Sequence, residues 1–117
     1  DQIIRHLKPG RDESMLDYGC GIGRMAKEII AASGCKVVGV DISPQMRQLA
    51  PGYVDSPGFS VCSPEQLQAM IGDGLRVDHA ISLWVLQHCL NPIEDIANIR
   101  KALKPGGLLF VLNNDRR

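Results

Sequence analysis

The sequence predicts an α/β domain built on a doubly wound parallel sheet. Three observations carry that expectation. Short apolar runs alternate with helical stretches along the whole chain. Three of the helix starts place a capping side chain directly before a proline: Ser43-Pro44, Ser63-Pro64 and Asn91-Pro92. The first apolar run feeds a turn with glycine at every second position, Gly19, Gly21 and Gly23. Strands alternating with helices at this spacing indicate βαβ units.

The elements follow in order. An amphipathic helix is expected over 2–7 and a first strand over 14–18. After the glycine turn, Ala26, Ile29 and Ile30 share one face of a helix over 23–33. A second strand follows at 36–41, and Ser43-Pro44 opens a helix over 44–50. The third strand is placed at 59–62. The helix after it, 64–71, starts at Ser63 with Gln66 at capping-box spacing. The fourth strand spans 77–82, and a loop or short helix runs through His88. A helix over 92–103 is stopped by Lys104-Pro105-Gly106-Gly107, which leads into a fifth strand at 107–113. The strands are apolar along their length, as burial on both faces requires. Right-handed crossovers then wind the sheet in a Rossmann-like manner.

With 117 residues the chain is one domain. Thirteen basic and thirteen acidic residues cancel, so no net field steers it toward nucleic acid or an anionic membrane. No apolar run approaches bilayer length. The four cysteines, Cys20, Cys35, Cys62 and Cys89, form no C-x-x-C pair and have no zinc-ligand spacing. They read as reduced, mostly buried thiols of a cytoplasmic protein. Cys20 is the one thiol beside a helix N-terminus, where a pKa can be lowered, but no histidine is placed locally to serve it, so a catalytic role is disfavoured. The chain begins at Asp1 inside an apparent helix and ends just after the fifth strand closes. It is therefore expected to be part of a longer protein.

A strand, a glycine turn and a helix bring backbone close to a bound ligand. Glycine adopts positive φ and leaves no Cβ in the way. The helix N-terminus beyond it offers unpaired N–H groups and partial positive charge. A nucleotide or another adenosine-bearing cofactor suits that geometry. The dinucleotide pattern G-x-G-x-x-G fits poorly: from Gly19 the third glycine falls on Arg24, and from Gly21 it falls on Ala26. A P-loop is excluded because Arg24-Met25 follows Gly23. Asp41 ends the second strand 22 residues after Gly19, where a carboxylate can accept from both ribose hydroxyls; the alternative, that it caps the next helix, is a role Ser43 fits better.

The run Asp17-Tyr18-Gly19-Cys20-Gly21-Ile22-Gly23 resembles motif I of the class I S-adenosylmethionine-dependent methyltransferases. The segments 37–43, 77–89 and 103–112 resemble later parts of the same family, in the same order and spacing. The match is best to the small-molecule group with a histidine after the fourth strand. The resemblance implies strand order 3-2-1-4-5, with the family's sixth and seventh strands missing. It implies S-adenosyl-L-methionine as cofactor and a small-molecule methyl acceptor, with no nucleic acid and no membrane as partners. The oligomeric state is left open.

The same resemblance assigns roles. The backbone of Gly19, Cys20, Gly21 and Gly23 would carry the methionine part of the cofactor. Asp17 would organise the turn and reach the cofactor ammonium, directly or through water. Asp41 would hold the ribose, and Ile42 and Met46 would pack on the adenine, although Met46 fits a plain core role equally well. The Leu83 carbonyl would accept from the ammonium, and Trp84 would wall the site or fill the core. His88 is the candidate general base, or else a residue hydrogen-bonded within its loop. One departure stands out. The family's acidic adenine partner after the third strand falls on Ser63, and Pro64 follows with no N–H to donate. Ser63 is then a shorter adenine partner or simply the helix cap, and Glu65 could substitute.

Three functions compete. The first is methyl transfer. The second is a non-catalytic or degenerate cofactor-binding module, and the third, disfavoured by glycine spacing, is an NAD-dependent oxidoreductase. The fifth strand, apolar over Leu108 to Leu112, would leave an open edge that invites association.

Overall fold

The computed structural model describes residues 9–83 and 92–112. The expected opening helix, Trp84, His88, Cys89 and the Asn91 cap lie outside the described residues. Five parallel strands form one sheet in the order β3-β2-β1-β4-β5. They are β1 (Ser14–Tyr18), β2 (Lys36–Val40), β3 (Phe59–Cys62), β4 (Val77–Leu83) and β5 (Leu103–Leu112). Four helices connect them: α1 (Arg24–Ser33), α2 (Pro44–Val54), α3 (Pro64–Gly72) and α4 (Pro92–Ala102). The strand order reverses at β1, where the chain leaves β3 and crosses to β4 on the far side.

The alternation of side chains on β1 divides the core in two. Leu16 and Tyr18 point to one face, with Val40, Cys62, Ala80, Leu67 of α3, and Ile99 and Ala102 of α4. Met15 points to the other, with Val37, Ile81, and Ala26 and Ile29 of α1. Successive strand residues face opposite sides, so both faces of the sheet are buried and the helices cover both. β1 is paired on both sides: Ser14 to Tyr18 align with Lys36 to Val40, and Met15 to Tyr18 with His79 to Ser82.

Local chemistry sets the helix starts. The Ser43 hydroxyl accepts from the Met46 N–H at 3.2 Å. Ser63 and Gln66 form a reciprocal capping box: the Gln66 N–H donates to Ser63 Oγ at 3.1 Å, and the Ser63 N–H donates to Gln66 Oε1 at 2.8 Å. Gly34 caps α1 with φ 74°.

Two boundaries differ by more than one residue from the sequence expectation. α2 runs through Pro51 to Val54 rather than stopping at Ala50. Pro51 lies on the exposed side of the helix, where a carbonyl deprived of its partner can be solvated. The extra turn delivers Val54 to the core beneath the glycine turn, where it is 4% exposed. β5 begins at Leu103, not at residue 107. Leu103 pairs with Val77, and pairing resumes at Leu108 opposite His79. The residues between form a bulge opposite Asp78, with Gly106 at φ 82° and Gly107 against the Asp78 carbonyl. Lys104 donates to Asp78 Oδ1 at 3.0 Å and pins the bulge.

Candidate cofactor site

The carboxyl ends of β1 and β2 build the site. As β1 ends, the Gly19 and Cys20 N–H groups both donate to the Val40 carbonyl, at 2.6 and 3.0 Å. This folds the chain over the end of β2. The Gly23 N–H then donates to the Cys20 carbonyl at 3.0 Å, closing a tight turn into α1. Gly19, Gly21 and Gly23 have φ of 85°, 59° and 96°, so the alternating glycines answer to three left-handed backbone positions. Two of them carry a second reason. A Cβ on Gly23 would overlap Val54 Cγ2, so packing excludes it. A Cβ on Gly21 would meet nothing within 4 Å, so Gly21 faces open space. Gly39 on β2 leaves room for Cys20, whose Sγ would lie 2.8 Å from an added Cβ.

Asp41 is tied to the turn. Its Oδ2 accepts from the Gly21 N–H at 2.8 Å, and its Oδ1 from the Ser43 N–H at 2.9 Å. Arg47 donates to the Asp41 carbonyl at 2.7 Å, fixing the backbone there. Each carboxylate oxygen keeps a second lone pair for a further donor. The sequence pointed to Asp41 as a ligand group. The structure adds that Asp41 also clamps the glycine turn to the β2–α2 junction.

Asp17 occupies the other side of the turn. It is 3% exposed, and its Oδ2 has no hydrogen-bond partner among the described residues. Burial, reinforced by the charge of Asp41, raises its pKa to about 7. Burial likewise pushes the Cys20 thiol up to about 12, with Asp17 and Asp41 adding repulsion to its thiolate. The disfavoured reading of Cys20 as a reactive thiol thus loses its basis: desolvation and two nearby carboxylates outweigh the helix dipole. Cys20 instead donates weakly to the Gly21 carbonyl at 3.4 Å.

A cavity of about 640 Å³ opens beside the turn, with Asp17, Gly19 and Cys20 at its floor and Arg24, Met25 and Tyr53 on its walls. Asp41, Ile42, Met46 and Ser63 stand on the β2–β3 side and do not line it. Ile42 is 79% exposed, an apolar side chain held in solvent beside Asp41. Met46 is half-buried on α2. Ser63 spends its hydroxyl and its N–H on the α3 cap. Leu83 ends β4, paired with Leu112. Sequence reasoning missed Tyr53, because Pro51 hid the last turn of α2. It also missed Met25, whose helical spacing from Ile29 reads as core. Among the described residues no cluster of acidic, histidine or cysteine side chains could hold a metal ion.

A family model described as a methyltransferase domain matches residues 1–116. The chain belongs to that family. Among its relatives is a ubiquinone biosynthesis O-methyltransferase of Cereibacter sphaeroides, 30% identical over 97 residues, which span 82% of this chain and 39% of the relative. Another is a tRNA U34 carboxymethyltransferase of Cellvibrio japonicus, 31% identical over 95% of this chain and 35% of the relative. The chain thus spans well under half the length of these two relatives. The fold is also that of a SAM-dependent methyltransferase from Thiobacillus denitrificans solved with S-adenosyl-L-homocysteine: TM-score 0.73, 18% identity, 94% of this chain and 45% of that one. The doubly wound sheet in the order 3-2-1-4-5 is accordingly the class I methyltransferase core.

Proposed function

We propose that this chain is the cofactor-binding part of an S-adenosylmethionine-dependent methyltransferase acting on a small-molecule acceptor. The observation that carries the reading is the pair of carboxylates flanking the glycine turn. Asp41 is already oriented by two backbone N–H groups, at 2.8 and 2.9 Å, with lone pairs left for ribose hydroxyls. Asp17 holds a buried oxygen with no donor among the described residues, and a cofactor ammonium would supply one. The residues present therefore fit the cofactor. Ile42, exposed beside Asp41, offers an apolar face to the adenine, and Met46, half-buried on α2, is proposed as a second one. The backbone of Gly19, Cys20, Gly21 and Gly23 would lie along the methionine part, with Gly21 open to it. The Leu83 carbonyl is proposed as a further acceptor for the ammonium. Ser63 is left to its cap, so the adenine edge is held without it.

When bound, S-adenosylmethionine supplies a methyl group already activated by its sulfonium. The work left to the protein is alignment and exclusion of water. His88, outside the described residues, is the proposed general base for a hydroxyl acceptor. Relatives divide between an O-methyltransferase of ubiquinone biosynthesis and a tRNA-modifying enzyme. The zero net charge favours the small-molecule side, because tRNA binding draws on a basic surface. No helix among the described residues is long and apolar enough to cross a membrane.

Calorimetric titration tests the cofactor. S-adenosylhomocysteine should bind saturably and NAD should not. Asp41→Ala should weaken binding at least tenfold, since it removes the ribose acceptor and frees the Gly21 N–H together. NAD binding in place of S-adenosylhomocysteine would sink the reading. Methyl-labelled cofactor offered with phenolic small molecules and with tRNA tests the acceptor, and label on tRNA alone would refute the small-molecule assignment.

A further inference from the structure

We infer that Asp17 holds a proton while the site is empty and releases it to solvent when the ammonium of a ligand docks, so that ligand binding and proton release are one event. The inference deepens the proposed function and rests on it. The geometry is that of an acid with no counterion among the described residues. Asp17 is the fourth residue of β1, in the middle of the sheet, and its register partners are Gly39 on β2 and Ile81 on β4. Neither carries a charge. Its side chain shares the α1 face of the sheet with Met15 and Ile81, and its Oδ2 lacks a donor among the described residues.

The charged groups around it do not remedy this. Across the turn stands Asp41, a second carboxylate that opposes ionisation of the first, and three residues further along the chain is the Cys20 thiol. From α1, Arg24, Lys27 and Glu28 line the same cavity, and none makes a hydrogen bond or ion pair to Asp17. Lys27 is engaged elsewhere: it donates to the Tyr53 carbonyl at 3.1 Å and lies 4.7 Å from the centre of the Tyr53 ring. From α2 only the Tyr53 phenol reaches the cavity.

A buried carboxylate with no donor and a like charge nearby is disfavoured relative to the neutral acid. The rise of its pKa to about 7 follows from that placement. A docking ammonium reverses the balance by supplying both a donor and a countercharge. The carboxyl O–H bond breaks, its proton passes to bulk water, and a charge-assisted N–H···O bond replaces it. The positive charge of the ammonium entering the site is then matched by the proton that leaves it.

The test is titration of the protein with S-adenosylhomocysteine in two buffers of different ionisation enthalpy. Close to one proton should be released at pH 5.5 and close to none at pH 8.5. Affinity should rise up to about tenfold per pH unit and level off above pH 7. 5′-Methylthioadenosine, which keeps the nucleoside and thioether but lacks the amino-acid end, should bind without releasing a proton. Asp17→Asn should bind S-adenosylhomocysteine more weakly, with no release and a flat pH profile. Saturable but proton-neutral binding of S-adenosylhomocysteine at pH 5.5 would overturn the inference and leave the cofactor reading intact. Equal release with 5′-methylthioadenosine would overturn it by placing the proton elsewhere. Absence of binding at both pH values by folded protein would remove both.

Discussion

At the scale of single residues, the site is built from groups held away from their comfortable states. Asp17 is the clearest. Its folded pKa is raised above its unfolded value, so its neutral form stabilises the fold. That contribution is full below the unfolded pKa, near 4, and is lost as pH rises toward about 7. Ligand-free protein should therefore lose stability between pH 4.5 and 7.5, and Asp17→Asn should reduce the loss. Melting temperatures of the two proteins across that range decide it, and parallel curves would refute the buried-acid description. Glu13 and Asp78 act in the opposite sense. Glu13 is held below the usual carboxylate range by His79 and Asp78 by the Ser14 N–H, so their contribution is present above the unfolded pKa and lost on acidification. Both are present in each protein and cancel in the comparison. Cys20 makes a separate prediction. With its pKa pushed up to about 12, its thiolate fraction at neutral pH is on the order of a thousandfold below that of a free cysteine. Folded protein followed by mass spectrometry should show Cys20 resisting iodoacetamide at pH 7.5 and reacting after denaturation.

At the scale of elements, the helices are positioned by their ends. The Ser63–Gln66 box fixes where α3 begins and so where β3 must stop. Ser63→Ala should cost about 1 kcal/mol in chemical denaturation and leave S-adenosylhomocysteine affinity unchanged within twofold. A large loss of affinity would instead make Ser63 an adenine ligand. α2 illustrates how packing overrides a local signal. Pro51 breaks one helical hydrogen bond, yet the helix continues because Val54 fills the space that Gly23 leaves open. Burying one valine side chain contributes roughly 1.5–3 kcal/mol, comparable with the roughly 3 kcal/mol that an interior proline costs. The same turn carries Tyr53 to the cavity wall. At the other end of the sheet, the β5 bulge is held by Lys104 on Asp78, and Asp78 in turn accepts from the Ser14 N–H at 2.9 Å. One carboxylate thus ties together the starts of β1, β4 and β5, remote from the site.

For the molecule as a whole, the reversal of strand order at β1 is what creates the site. Helices α1 and α2 cover one face, while α3 and α4 cover the other. Asp17, the glycine turn and Asp41 all lie at the carboxyl ends of β1 and β2, where doubly wound sheets place their ligands. Tyr18 reinforces this from the second face: its hydroxyl donates to Asp95 Oδ1 of α4 at 2.7 Å. β5 is the last strand of the sheet, pairing with β4 alone among the described residues, and Leu108 on it is 51% exposed. An apolar edge strand of this kind templates pairing with another chain. The 117-residue protein should self-associate as its concentration rises, and Leu108→Lys should suppress this in light scattering. A monomer at all concentrations would show that this edge is harmless.

The sequence by itself determined the order and type of the described elements, both serine caps and the glycine turn, because each is written in neighbouring residues. A serine before a proline, or glycines alternating after an apolar run, needs no distant partner to act. Membership of the methyltransferase family was legible for the same reason, in four short segments in register. What the tertiary structure decided depends on groups far apart in the chain. The helix expected to end at residue 50 gains a turn because Val54 meets Gly23. How far Cys20 is held from its thiolate is set by burial and two carboxylates. Asp41 read as a ligand group, and only the fold showed its carboxylate locked to the Gly21 N–H twenty positions away. Asp17 read as an acid beside the turn, and only the sheet showed one of its oxygens buried with no donor among the described residues. Local propensity fixes where an element begins, but the solvation and charge around a side chain are set by whatever the fold brings against it.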